Sequence, residues 1–287
     1  MAANKNTEKH YKTGFKFNEN HLDYEVRLKK RKKWWLWLLL LLPLLFFFIC
    51  DKEVKEEKEG NEDDDKNYAV IYSNLDLIMC IDCTGSMGDA LGTVKKHALD
   101  FWPDLKRQLR ERDKNVENFR IKIIAFRDYN SDGKDAMAES KFFNIPEQEK
   151  EYKKYVSGLD AHGGGDDPEH GLEAIALAIN SEWLELQDEK HSHVIMVWTD
   201  VSAHELTGKT SRNYPENMPK NIEELKMLWD EKLNSSSKRL LLFAPKLYPW
   251  NKIPTEWNNA FHFPFEGKSG LSKVDYKSVI ESIADFI

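Results

Sequence analysis

Residues 68–287 are expected to fold as an α/β domain with a doubly wound, mostly parallel sheet and helices on both faces, preceded by one transmembrane helix over 34–50. Short apolar runs alternate with longer amphipathic ones, the order that builds right-handed strand-to-helix crossovers. Several of the short runs are apolar at every position, as in strands buried on both faces of a sheet. The segment "WWLWLLLLLPLLFFFIC" carries no charge, and at about 1.5 Å of helical rise per residue it is just long enough to cross a bilayer.

The elements follow in chain order. Residues 1–33 are polar, lack periodicity and end in the basic run Arg27 to Lys33, and they read as a cytoplasmic tail. Trp34, Trp35 and Trp37 sit at the charged end of the apolar run, where aromatic rings favour the headgroup region. The chain is therefore expected to be a single-pass membrane protein with its folded domain outside the cytoplasm. A long polar lead and the lack of a small-x-small site after the run argue against a cleaved signal peptide. Bulky Phe48 and Ile49 argue against lipidation of Cys50. Residues 51–67 form an acidic linker, too charged to fold alone.

Strands are expected over 75–82, 119–126, 193–200, 239–245 and 260–265, with an antiparallel edge strand over 140–145. Helical patterns run over 87–111, 147–159, 168–186, 221–233 and 273–287. Pro103 should kink or split the first of these.

At 41% hydrophobic residues the chain can bury a sizeable core. Its net charge of -7 conceals a basic tail and an acidic folded part, which excludes a nucleic-acid-binding surface on the domain. Of the three cysteines, Cys80 and Cys83 are spaced C-x-x-C. An extended strand sets their Cα atoms roughly 10 Å apart, too far for a disulfide. A zinc site would need a second Cys or His pair nearby, and none follows, so both read as packing residues.

Ligands of open α/β sheets bind at the carboxyl ends of strands, which singles out three loops. "DCTGSMG" offers Asp82, Thr84 and Ser86 as oxygens at alternate positions, with Gly85 and Gly88 permitting a tight turn. "HGGGDDPEHG" brings adjacent carboxylates to the start of a helix, and "WTDVSAH" ends a strand on Asp200. Carboxylates with hydroxyls and no thiolate suit a hard cation, Mg²⁺ or Mn²⁺, with water completing an octahedron. Neutral hydroxyls leave that ion enough positive charge to attract an acidic group from outside.

With Asp82-Cys83-Thr84-Gly85-Ser86 after the first strand and Asp200 in the third loop, the region 70–287 resembles the von Willebrand factor type A (vWA) domain, a Rossmann-like fold with a metal-ion-dependent adhesion site (MIDAS). Thr84 stands where the family signature has its first Ser. The resemblance implies metal ligation by Asp82, Thr84, Ser86 and Asp200, and by a residue of the second loop where the family commonly has Thr. Here "GGGDDPE" stands instead, as in a subgroup that places Asp there. Asp166 and Asp167 compete for this role. Asp-Pro-Glu at 167–169 reads as N-cap, N1 and N2 of the next helix, which assigns Asp166 to the metal. The function so implied is protein recognition or adhesion, in which a partner's acidic side chain completes the metal shell.

His204 reads as a hydrogen-bonded loop histidine, and its spacing from Ser202 shows no triad. Trp250 and Trp257 read as packing residues. An alternative is a Mg²⁺-dependent phosphotransferase or phosphatase with Asp82 as nucleophile, but such sites want a second carboxylate two positions on, where Thr84 stands. A further alternative is a metal-independent interaction domain, against which the oxygen set argues.

Overall fold

In β1 (Ser73–Asp82) every residue is buried. Leu75, Leu77, Met79 and Ile81 face one apolar cluster and Ile78 and Cys80 the other, so the unbroken apolar run reflects a strand covered on both sides. The computed structural model describes residues 73–184, 190–206 and 212–287, all within a unit spanning Lys66–Ile287. The expected tail, transmembrane helix and acidic linker lie outside the described residues. No helix among the described residues is long and apolar enough to cross a membrane.

After β1 a short 3-10 turn, Gly85–Asp89, leads into α1 (Leu91–Glu111). Pro103 lies inside α1, and the helix continues through it unsplit. The reason is tertiary: Phe101 and Leu105, on either side of the proline, are fully buried in the core, which holds the helix where local propensity would break it. Then come β2 (Val116–Phe126), the single turn α2 (Tyr129–Asp132), and two short strands, β3 (Met137–Glu139) and β4 (Phe143–Ile145). Both pair antiparallel with β2; β4 realises the expected edge strand over its last three residues, and β3 lies before the expected 140–145.

The chain continues with α3 (Glu149–Ser157), α4 (Gly171–Ile179), β5 (Lys190–Trp198), α5 (Ile222–Lys232), β6 (Lys238–Phe243), the turn α6 (Ile253–Glu256), β7 (Ala260–His262) and α7 (Tyr276–Phe286). The strand order is β3-β2-β1-β5-β6-β7, with β4 also on β2. β1 is parallel to β2 and to β5, and β5–β6 and β6–β7 are parallel as well. Strand order therefore reverses beside β1, and a crevice opens beyond the carboxyl ends of β1 and β5. On one face of the sheet β1 packs with α1, α3 and α7; on the other it packs with α4 and α5.

α4 is shorter than the expected 168–186, and His170, not Asp167, is its N-cap residue. The residues before it are held by other loops. The Glu169 N–H donates to the Ser202 carbonyl at 3.2 Å, the His170 N–H donates to the Arg127 carbonyl at 3.2 Å, and Glu169 bridges to Ala203. The Glu169 carbonyl, which a helix starting at 168 would give to the Glu173 N–H, accepts instead from the His204 N–H at 2.8 Å, so the helix begins later.

Glu173 of α4 is buried and accepts a hydrogen bond from the Tyr214 hydroxyl at 2.7 Å. Burial pushes its carboxyl up to about 7, which the Tyr214 bond opposes. A folded pKa raised above the unfolded value means that stability is full below about 4.5 and is lost as pH rises through about 7. Glu173→Gln, which keeps the volume and the Tyr214 bond, is expected to remove that loss, on the order of 3 kcal/mol between pH 4.5 and 8. Melting curves of both proteins across this range check it; identical pH slopes would contradict it.

Candidate metal centre

Asp82 closes β1 and is fully buried. Its Oδ1 accepts from the Thr84 N–H at 2.9 Å and the Thr84 hydroxyl at 2.7 Å, and its Oδ2 accepts from the Thr199 hydroxyl at 2.6 Å. Thr84 Oγ1 lies 3.1 Å from Ser86 Oγ, which donates to Asp200 Oδ1 at 2.8 Å. Each hydroxyl has one proton, spent by Thr84 and Thr199 on Asp82 and by Ser86 on Asp200, so the Thr84 and Ser86 oxygens face each other through their lone pairs. Thr199 and Asp200 fall just past β5 because the strand stops at Trp198. Asp82, Thr84 and Asp200 are buried and Ser86 is half-buried, so Ser86 marks the side nearest solvent.

Burial pushes the Asp82 carboxyl up to about 6; bonds from Thr199 and Thr84 pull it down, and the Asp200 charge raises it again. Two buried carboxylates, one held by Thr84 and Thr199 and the other by Ser86, are an anionic pocket that a cation would relieve.

The second loop is docked on the first. The Gly85 N–H donates to the Gly163 carbonyl at 3.1 Å, and the His162 N–H donates to the Cys83 carbonyl at 3.0 Å. The buried Arg127 guanidinium donates to the carbonyls of Cys83, His162, Asp135 and Asp160. Gly164 has φ +96°, and a Cβ there would stand 2.6 Å from Glu169 Oε1 and 2.8 Å from Thr84 Cβ. Glycine is required by both conformation and space, and the contact sets Glu169 beside Thr84.

Asp166, assigned to the metal from sequence, is exposed and makes no hydrogen bond to Asp82, Thr84, Ser86 or Asp200 among the described residues; Asp167 is exposed as well. Glu169 instead is 3% exposed, and its Oε2 has no hydrogen-bond partner. Burial pushes its carboxyl up to about 9, reinforced by the charges of Asp82, Asp128, Asp132 and Asp167. A buried carboxyl with one orphaned oxygen, lining the same gap at Gly164 as Thr84, fits a hard-cation site, as does the donor set of acids and hydroxyls.

A second group, Asp128, His170 and His204, brings three potential ligand atoms within 4.8 Å of one another. Asp128 follows β2, His170 caps α4, and His204 belongs to the loop after β5. The His204 N–H donates to the Glu169 carbonyl at 2.8 Å, while its ring Nε2 is buried without a hydrogen-bond partner. The loop-histidine expectation therefore holds for the backbone and not for the ring.

Other expectations concern packing. Cys80 and Cys83 are buried free thiols, and burial pushes Cys83 up to about 12. Trp250 is fully buried, with its indole N–H donating to the Val201 carbonyl at 2.8 Å, and Trp257 is 3% exposed.

Residues 76–211 match the von Willebrand factor A domain model. The matched span begins in β1 and runs past β5, so it takes in Asp82, Thr84, Ser86, Glu169 and Asp200, and also the Asp128 group. Among solved structures, this chain is similar to the pilus adhesin SpaC from Lactobacillus rhamnosus GG. Two crystal structures of that adhesin, one in an open conformation, give 11% identity and TM-scores of 0.46 and 0.44. Each alignment covers 74% of this chain and 30% of the adhesin chain. No curated protein matches the sequence. Within the von Willebrand factor A match, sequence reasoning missed Glu169, Thr199 and Arg127. Thr199 and Arg127 carried the same signal that singled out Asp82, a position at the carboxyl end of a strand.

Proposed function

We propose that residues 68–287 form a vWA domain that holds Mg²⁺ or Mn²⁺ at a MIDAS and uses the ion to bind a protein partner. Asp82, Thr84, Ser86 and Asp200 would hold the cation directly or through water, with Glu169 as the carboxylate of the second loop in place of Asp166. The observation that carries this reading is the gathering of Asp82, Thr84, Ser86 and Asp200 at the carboxyl ends of β1 and β5, where the Thr84 and Ser86 hydroxyls each turn their proton to a carboxylate and leave their oxygens 3.1 Å apart. When bound, the ion supplies a Lewis-acidic position for an acidic side chain of the partner. This chain's own residues orient the oxygens and, through the hydroxyls of Thr84 and Ser86, keep part of the site neutral. The apolar run 34–50 would anchor the domain to a membrane, with the basic tail cytoplasmic and the vWA domain on the other side.

Recognition is favoured over turnover. Both Asp82 oxygens already accept hydrogen bonds and the residue is fully buried, a poor setting for a nucleophile.

The test is retention of membrane-extracted proteins on the immobilised full chain. Retention is expected with Mg²⁺ and loss with a chelator, and an Asp82→Asn column should retain nothing more than the chelated one. Retention that is indifferent to both would overturn the reading.

A further inference from the structure

We propose that Asp128, His170 and His204 form a second metal site, one for Zn²⁺, built from residues other than those of the Asp82 cluster. Its donor set differs in kind. Two imidazoles and one carboxylate suit a borderline transition ion, whereas the Asp82 cluster offers only oxygens.

The geometry centres on one oxygen. Asp128 Oδ1 lies 2.9 Å from His170 Nδ1 and 3.6 Å from His204 Nε2. Tetrahedral zinc, with bonds of about 2.0–2.2 Å, spaces its ligand atoms roughly 3.3–3.6 Å apart, so the three atoms need only small shifts to share an ion.

One further observation points to a cation. The buried His204 Nε2 has no hydrogen-bond partner and stands 3.6 Å from Asp128 Oδ1. His170 Nδ1 is met by the Tyr129 N–H at 3.1 Å and by Asp128 Oδ1 at 2.9 Å, and a zinc ion would take its single lone pair in place of that N–H. Asp128 and His170 are each 1% exposed, and water therefore does little to relieve this arrangement.

The surroundings hold the ligands in place. Asp128 Oδ1 accepts from the Asn130 N–H at 2.8 Å and Oδ2 from the Ser131 hydroxyl at 3.0 Å. The rings of His170 and His204 lie 4.5 Å apart. Three protein ligands leave a fourth position for water or a group from outside, and the His204 side chain, 27% exposed, gives access to it.

The experiment titrates Zn²⁺ into the purified full chain in excess Mg²⁺, with Co²⁺ as a spectroscopic substitute for zinc. One tight equivalent is expected, with a tetrahedral Co²⁺ absorption. His204→Ala, on a loop and outside the apolar core, should weaken zinc by about tenfold or more, since even supporting residues of metal sites cost that much. Asp82→Asn should leave zinc binding unchanged. Failure of the wild type to bind zinc, an unaffected His204→Ala, or equal loss in Asp82→Asn would each overturn the proposal.

Discussion

Asp82→Asn is expected to abolish the rise in melting temperature that Mg²⁺ gives the wild-type chain, while making the metal-free domain firmer at neutral pH. A ligand present at a hundred times its dissociation constant stabilises the folded state by about 2.7 kcal/mol, and the variant should gain none of it. The metal-free effect follows from the raised pKa. Burial lifts Asp82 from 3.8 to about 6, so its cost is absent below the lower value and complete above the higher one. That cost is on the order of 3 kcal/mol at pH 7. Asparagine keeps the shape, accepts from Thr84 through Oδ1, and the Thr199 hydroxyl can turn to accept from the new amide. Thermal melts at pH 4 and pH 7, with and without Mg²⁺, separate the two effects. An undiminished Mg²⁺ response in the variant would remove Asp82 from the site.

Glu169→Gln is expected to weaken Mg²⁺ by about tenfold or more, since loss of a direct ligand should cost at least as much as loss of a supporting residue. Asp166→Ala should change affinity less than about twofold, because Asp166 is exposed and makes no bond to the cluster. The pair is informative because the two residues share one short loop. Calorimetry of each variant, with circular dichroism melts to confirm the fold, decides between them. The opposite ranking would return the second-loop role to Asp166.

The legible parts of this chain are those in which local pattern and tertiary environment agree. β1 was readable because both of its faces are buried, which leaves an apolar run that no solvent-facing strand would carry. Asp82, Thr84, Ser86 and Asp200 could be picked out because they stand at strand ends beside a switch in strand order, and the structure brings these four side chains together, Thr84 bonded to Asp82 and Ser86 to Asp200. The second loop misled for a physical reason. Asp167-Pro168-Glu169 has the local chemistry of a helix start, but the Glu169 carbonyl, which a helix would use, accepts from the His204 N–H. Pro103 misled in the same way, since its neighbours' burial outweighs its own preference. The Asp128, His170 and His204 group had no spacing to reveal it, because its members come from three loops that only the folded sheet brings together.

The central claim is that the Asp82 cluster is a cation site, and calorimetric titration of Mg²⁺ into the metal-free full chain tests it most directly. The account predicts one saturable equivalent in the wild type and none in Asp82→Asn. A wild-type chain that takes up no Mg²⁺, or an Asp82→Asn variant that takes up the same single equivalent, would contradict it.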